Sequence, residues 1–260
     1  MADVDFVRCQ SEANKLESSY GSGAKAMYLD LGDLRSIKEF TDSFLSANDR
    51  LDILVNNAGV MNPPFRITSD GHEPHWGINH LGHFSLTTLL LKALLHTEGS
   101  RVVTQSSIVH DTAEIDFVNI FTERHHNPWK AYKQSKLATL LFSLELQRRL
   151  DSHRLKDPIS VACHPGLVYT PLYRNGRSLG LLLRPFMHSI SEGAAPCLTA
   201  CTGDEVRGGE FYGPDGWRGF RGKPDKVEPQ GRGGDAALAV RVWELSKKMS
   251  GMDPDIILSQ

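Results

Sequence analysis

Short apolar runs alternate with helical patterns through the 260 residues, and this predicts an α/β fold, a doubly wound parallel sheet with helices on both faces. A second observation agrees. The runs at Leu51–Val55 and Arg101–Gln105 are apolar with little alternation, as strands covered on both sides require. The third lies at the strand ends, which carry small, polar or Gly residues: Asp30 and Leu31, Asn56 to Val60 (NNAGV), Ser106 and Ser107, and His164 to Thr170 (HPGLVYT). Ligands of such sheets sit beyond the carboxyl ends of the strands, and residues without bulk let them approach the backbone.

In chain order, strands are expected at Val4–Val7, Ala26–Leu29, Leu51–Val55, Arg101–Gln105, Ile159–Cys163 and Glu210–Tyr212. Helices are expected at Ser11–Ser19, Leu34–Ala47, Glu73–His96, Lys130–Leu150, Ser191–Cys201 and Ala236–Met249. Asp33 suits the N-terminus of the second helix, because a carboxylate accepts from the amides a helix leaves unpaired there.

A chain that is 40% hydrophobic and 23% charged suits one domain over residues 1–260 with a large core. Its net charge of −2 supplies no attraction for nucleic acid. The GWRGFRG stretch at Gly216–Gly222 is too short for an RNA-binding tract and reads as a surface loop. Cys9, Cys163, Cys197 and Cys201 form no CxxC pair, so reduced thiols and a cytoplasmic location are expected. No apolar run approaches the ~18 residues of a membrane span. His72, His75, His80 and His83 cluster in sequence, but no Cys or acidic partner joins them at metal-site spacing, and no metal is expected.

The stretch NPWKAYKQSK, Asn127 to Lys136, carries the chemistry. Asn127 is a good N-cap and Pro128 fits the first helical position. Tyr132 and Lys136 then lie four apart on one face. A phenol titrates near 10 and is a poor acid or base at neutral pH, while an ammonium within ~4–6 Å pulls its pKa down. By itself, such a pair is usually a half-buried aromatic beside a solvated charge. The rest of the chain changes that balance.

NNAG at Asn56–Gly59, Asn79 within NHLGHF, Ser107 at a strand end, the Tyr132/Lys136 pair and PGLVYT at Pro165–Thr170 follow one another after the right elements. In this order they resemble the short-chain dehydrogenase/reductase family over essentially the whole chain. AYKQSKLA and the closing WELSKKMSG are most similar to its retinol-dehydrogenase-like branch. The resemblance implies a Rossmann-like single domain and an NAD(P)-dependent oxidoreductase that interconverts an alcohol and a carbonyl. It makes Tyr132 the general acid/base, Ser107 (rather than Ser106) the donor to the substrate oxygen, and Lys136 both the charge beside the phenol and the holder of the ribose. Asn79 supports a water chain to that lysine. Asp30 and Leu31 lie at the adenine; Asn57, Ala58 and Gly59 flank the adenine-side ribose. Pro165, Gly166, Val168 and Thr170 lie at the nicotinamide. Arg8, after the expected first strand, gives a slight lean to NADP over NAD.

The segment 170–190 is unusually apolar for a loop, with Leu179, Leu181–Leu183, Phe186 and Met187, and reads as a lid over a small lipophilic alcohol, aldehyde or ketone or as a helix packed on the core. Arg174, Arg177 and Arg184 leave a weak membrane-surface contact open. Self-association into a homo-oligomer is also left open. One departure from the family is plain. Its opening strand, TGxxxGxG turn and helix are not among these 260 residues, and Met1–Cys9 resembles its second strand. The expectation is therefore a missing first βα unit, a lost diphosphate cradle and two unpaired inner strand edges. Two readings follow, an oxidoreductase or a non-catalytic truncated remnant that binds other proteins. Retention of Asn79, Ser107, Tyr132 and Lys136 together favours the first.

Overall fold

The computed structural model describes residues 1–118, 127–168 and 187–259. The chain opens with β1 (Ala2–Asp3), α1 (Phe6–Tyr20), β2 (Met27–Tyr28) and α2 (Leu34–Ala47). β3 (Ile53–Asn56) leads through a π-helix (His75–Leu81) into α3 (Gly82–Leu95). β4 (Arg101–Gln105), a 3₁₀ turn (Ile108–Thr112), α4 (Pro128–Ser152), β5 (Ile159–Cys163) and α5 (Ile190–Thr202) follow. The chain closes with β6 (Phe211–Pro214), a 3₁₀ turn (Trp217–Gly219), β7 (Pro224–Lys226), α6 (Ala236–Ser250) and α7 (Pro254–Leu258).

The strands form two sheets. β1 and β2 pair in parallel, and β3-β4-β5-β6-β7 form the second sheet, parallel except for antiparallel β7 at the edge. Register sets Val55 beside Val103 and Val103 beside Val161, so Asn56, Gln105 and Cys163 finish on one side of the sheet. Leu29 and Leu31 beside the small sheet pack with Ile37 of α2 and Phe84 and Leu94 of α3, so one core runs beneath both sheets. α4 packs on the larger sheet and on α6, burying Leu137 and Leu141 against Leu238 and Val242.

The expected strand at Val4–Val7 is not formed. Asp5 caps a helix instead, its side chain accepting from Arg8 N at 3.0 Å, and Val4, Phe6 and Val7 are exposed. α1 therefore begins five residues before the expected Ser11. The run Glu73–His96 is not one α-helix: its first two turns are π, and α-geometry starts at Gly82. Gly82 crosses β2's exit so closely that a Cβ there would lie 2.4 Å from Leu31 O. β7, not among the expected strands, carries Pro and charge and pairs only as an exposed edge. The lid expected at 170–190 lies outside the described residues up to 186; its last residue, Ile190, already opens α5 behind a Ser189–Glu192 capping box.

Among the described residues no strand joins β1 to β3. Ile53 and Val55 of β3 are 38% and 40% exposed, whereas Val102 and Val103 of β4 are fully buried. One face of β3 thus lacks the cover that its apolar composition calls for.

Candidate active site

Asn127 accepts from Lys130 N at 3.0 Å with Pro128 next to it, so the cap and the fixed proline φ start α4 where the sequence places it. That start puts Lys136 against the end of β4. Lys136 is only 6% exposed and its Nζ donates to Gln105 O at 2.9 Å. Burial pushes its ammonium down to about 8, against a smaller opposing effect of Cys163. Tyr132, one turn earlier and half-buried, has Trp129 stacked at 5.8 Å and the edge of His75 at 6.1 Å.

The loop after β3 closes on the same lysine. A Cβ on Gly59 would lie 3.0 Å from Asn79 Oδ1 and 3.6 Å from Lys136 Nζ, so a side chain there would crowd both. Asn79 is fully buried in the π-helix. Its Oδ1 accepts from Val60 N at 2.7 Å and its Nδ2 donates to Val60 O and Ser135 Oγ at 3.0 and 2.9 Å. His83, held neutral at about 4 chiefly by burial, donates through Nε2 to Ala58 O at 2.8 Å. Asn57 is exposed on the turn between them, and Asn56 is buried, donating to Thr87 Oγ1 at 2.9 Å.

The two serines after β4 separate. Ser106 is buried and donates to Lys136 O at 2.7 Å, so its hydroxyl is committed to α4. Ser107 is half-buried and caps the following 3₁₀ turn, its Oγ at 3.5 Å from Val109 N, a weak bond that leaves the hydroxyl available. His110 fixes that turn, donating from Nδ1 to Ser107 O at 2.8 Å and accepting from Gln230 N at 3.3 Å.

After β5, His164 accepts from Gly166 N at 3.2 Å through Nδ1 and is pushed down to about 3, chiefly by burial. Gly166 has φ +70°, and a Cβ would meet Phe220 O at 2.6 Å. Pro165 leads into this turn, and Val168 beyond it is buried and bridges to His188. Thr170 lies outside the described residues.

At the far side, Leu31 is buried, and Asp30 turns its carboxylate onto Gly32 N at 2.8 Å. Arg8 stands exposed in the first turn of α1 rather than at a strand end. The structure thus brings Gly59, Asn79 and Lys136 together at the ends of β3 and β4, places Ser107 on the turn after β4 and Tyr132 one helical turn before Lys136, and leaves Arg8 on a separate element. Sequence reasoning missed His83, His110 and the Glu73–His75 pair. Among the described residues no group of His, Cys, Asp and Glu converges as a metal site; His80 contacts Ser246 Oγ at 2.7 Å and His83 holds Ala58.

The residues that could hold a nicotinamide dinucleotide fit one half of it. A buried ammonium and a phenol one turn apart on α4 supply polar groups that suit a ribose and a carbonyl or hydroxyl oxygen. For the diphosphate end no open helix start stands next to Asp30: at the N-terminus of α2 Asp33 accepts from Arg35 N and Asp70 from Leu34 N, so these amides are already bonded by carboxylates and closed to an anion.

Comparison with known proteins agrees with this geometry. The family model described as short chain dehydrogenase matches residues 2–178. Human retinol dehydrogenase 12 is 36% identical over 254 residues, 95% of this chain and 77% of that protein. Mouse polyprenol dehydrogenase is 37% identical over 265 residues, 96% of this chain and 76% of that protein. The crystal structure of an uncharacterized protein from Mycobacterium paratuberculosis superposes with a TM-score of 0.76 at 35% identity, covering 97% of this chain and 84% of that one. The chain belongs to the short-chain dehydrogenase family, in its retinol-dehydrogenase-like branch, and is an oxidoreductase.

Proposed function

We propose that the protein interconverts an alcohol and a carbonyl on a lipophilic substrate, with NAD(P) as the hydride carrier and Tyr132 as general acid/base. The observation that carries this reading is the buried Lys136 ammonium, held at Gln105 O one helical turn from Tyr132, with Gly59 packed so closely by that a Cβ there would meet it. A group at about 8 is roughly nine-tenths charged at pH 7, so a buried cation sits one helical turn from Tyr132. The nicotinamide, when bound, supplies or accepts the hydride.

The side chains do the rest. Tyr132 gives or takes the proton at its phenol oxygen, and Ser107 donates to the substrate oxygen as charge builds there. Lys136 favours the phenolate and takes the ribose hydroxyls. Asn79 holds the Val60 backbone and through it the wall of the site. Ala58, Gly59, Pro165, Gly166 and Val168 supply backbone and small surfaces for the cofactor; the roles of Asp30, Leu31, Asn57 and Thr170 are proposed with them. With Arg8 away from the strand end, NADP and NAD enter the proposal alike.

Lipophilicity is supported by the apolar sequence of the 170–190 segment and by the names of the relatives, which specify retinol and polyprenol. A substrate panel tests it: long-chain or polyene aldehydes and alcohols are expected to outperform short hydrophilic ones by at least tenfold in kcat/KM. Preference for the short ones would contradict the proposal. A second reading, binding of other proteins without turnover, is favoured by the uncovered face of β3. No turnover with any carbonyl or alcohol at saturating cofactor would support that instead.

A further inference from the structure

A buried carboxylate–imidazole pair stands behind the phenol, and the chemistry above makes no use of it. Glu73 Oε1 lies 2.6 Å from His75 Nδ1, and Glu73 Oε2 accepts from Trp76 N at 2.8 Å. His75 is fully buried, and its Nε2 accepts from Asn62 N at 3.0 Å. These contacts settle the tautomer. Nε2 must be unprotonated to accept, so Nδ1 carries the hydrogen and donates to Glu73. A ring tied at both nitrogens cannot flip, and it meets the ring of Tyr132 edge-to-face, with centroids 6.1 Å apart and planes at 64°.

The same pair shares a clamp with Asn79. Asn79 grips Val60 through N and O, and His75 grips Asn62 N two residues later. Both grips come from the π-helix, four residues apart. Asn62 adopts φ +53°, an uncommon conformation for a side-chain-bearing residue, and the His75 contact holds it there. Burying a carboxylate is costly unless it is hydrogen-bonded, and an apolar pair would fill the space more cheaply.

We infer that Glu73 and His75 are positioning residues for the proposed reaction: the Glu73-locked imidazole braces the ring of Tyr132 and pins the Val60–Asn62 loop beside it. The inference rests on the proposed role of Tyr132. Neither residue touches the reacting atoms, and the pair acts on kcat through where the phenol oxygen sits.

The test compares His75→Phe, His75→Gln and Glu73→Gln with the parent in kcat, KM, pH profile and thermal midpoint. His75→Phe keeps a ring at Tyr132 but loses both hydrogen bonds, and kcat is expected to fall at least tenfold with KM and cofactor affinity within threefold. His75→Gln can still accept from Asn62 N and donate to Glu73, and is expected to recover part of that loss. Glu73→Gln should shift the pH at which the kcat profile bends, because it removes the charge behind the ring. If the folded variants keep kcat and the profile of the parent while the midpoint drops, the pair is only structural and the inference fails. An inactive parent would overturn the proposed function instead, a different outcome.

Discussion

Lys136 carries a positive charge where water does not reach it, and that placement has two measurable consequences. The ammonium is held near 8 against an ordinary 10.5. Between those values the unfolded chain binds more protons than the folded one, so stability rises with pH from about 8 to 10.5. Below 8 the full penalty, roughly 3 kcal/mol, is present. Lys136→Met removes the titration, so the stability of the parent relative to that variant should climb by this amount over the window in urea melts. A pH-independent difference would mean that the lysine is hydrated. Turnover should fall over the same range, because the phenol loses its cation. At this scale the helical spacing of Tyr132 and Lys136, which the structure keeps one turn apart on α4, was legible in the sequence. His83 and His110 were not, since a buried imidazole means something only when its partner is known, and Ala58 O and Gln230 N lie 25 and 120 residues away. The choice of Ser107 over Ser106 rested on resemblance alone; the structure adds that Ser106 donates its hydroxyl to Lys136 O.

The elements were legible where local signals agree. β4, β5 and α2 fall on the expected residues because apolar runs and caps coincide there. They were misread where a single side chain decides, as at Asp5, which turns an apolar tetrapeptide into a helix start. The π-turns of His75–Leu81 have no periodicity signature, and they aim His75 and Asn79 at one loop. α2 makes the sharpest element-level prediction. With Asp33 and Asp70 on its first amides it offers nothing to a diphosphate. Each missing charge-assisted bond costs roughly 1.5–3 kcal/mol, so two would weaken binding by about two to four decades. Titration calorimetry should find NADPH within about tenfold of reduced nicotinamide mononucleotide. A hundredfold advantage for NADPH would show that another segment holds the phosphates.

Over the whole molecule, the two sheets share one core while among the described residues no hydrogen-bonded ladder joins them, and the gap lies beside the proposed cofactor site. The family resemblance pointed to that gap, whereas the continuity of the core beneath it depends on long-range packing that no local pattern encodes. Three interior histidines set the acid limit of the fold. His80, His83 and His164 sit at about 3, 4 and 3, pushed down chiefly by burial. Their contribution is complete above about 6.5 and is lost as pH falls toward 4, by up to about 4 kcal/mol per pH unit near pH 5. Urea melts at pH 7 and pH 5 check this, and equal midpoints would contradict it. The central claim is that this chain transfers a hydride with Tyr132 managing the proton. The most direct test is single-turnover oxidation of saturating NADPH by a long-chain aldehyde, followed at the nicotinamide absorbance, for the parent and Tyr132→Phe. The variant is expected to bind NADPH within threefold of the parent and to lose at least a thousandfold in rate; a rate within tenfold of the parent would rule out Tyr132 as the proton donor.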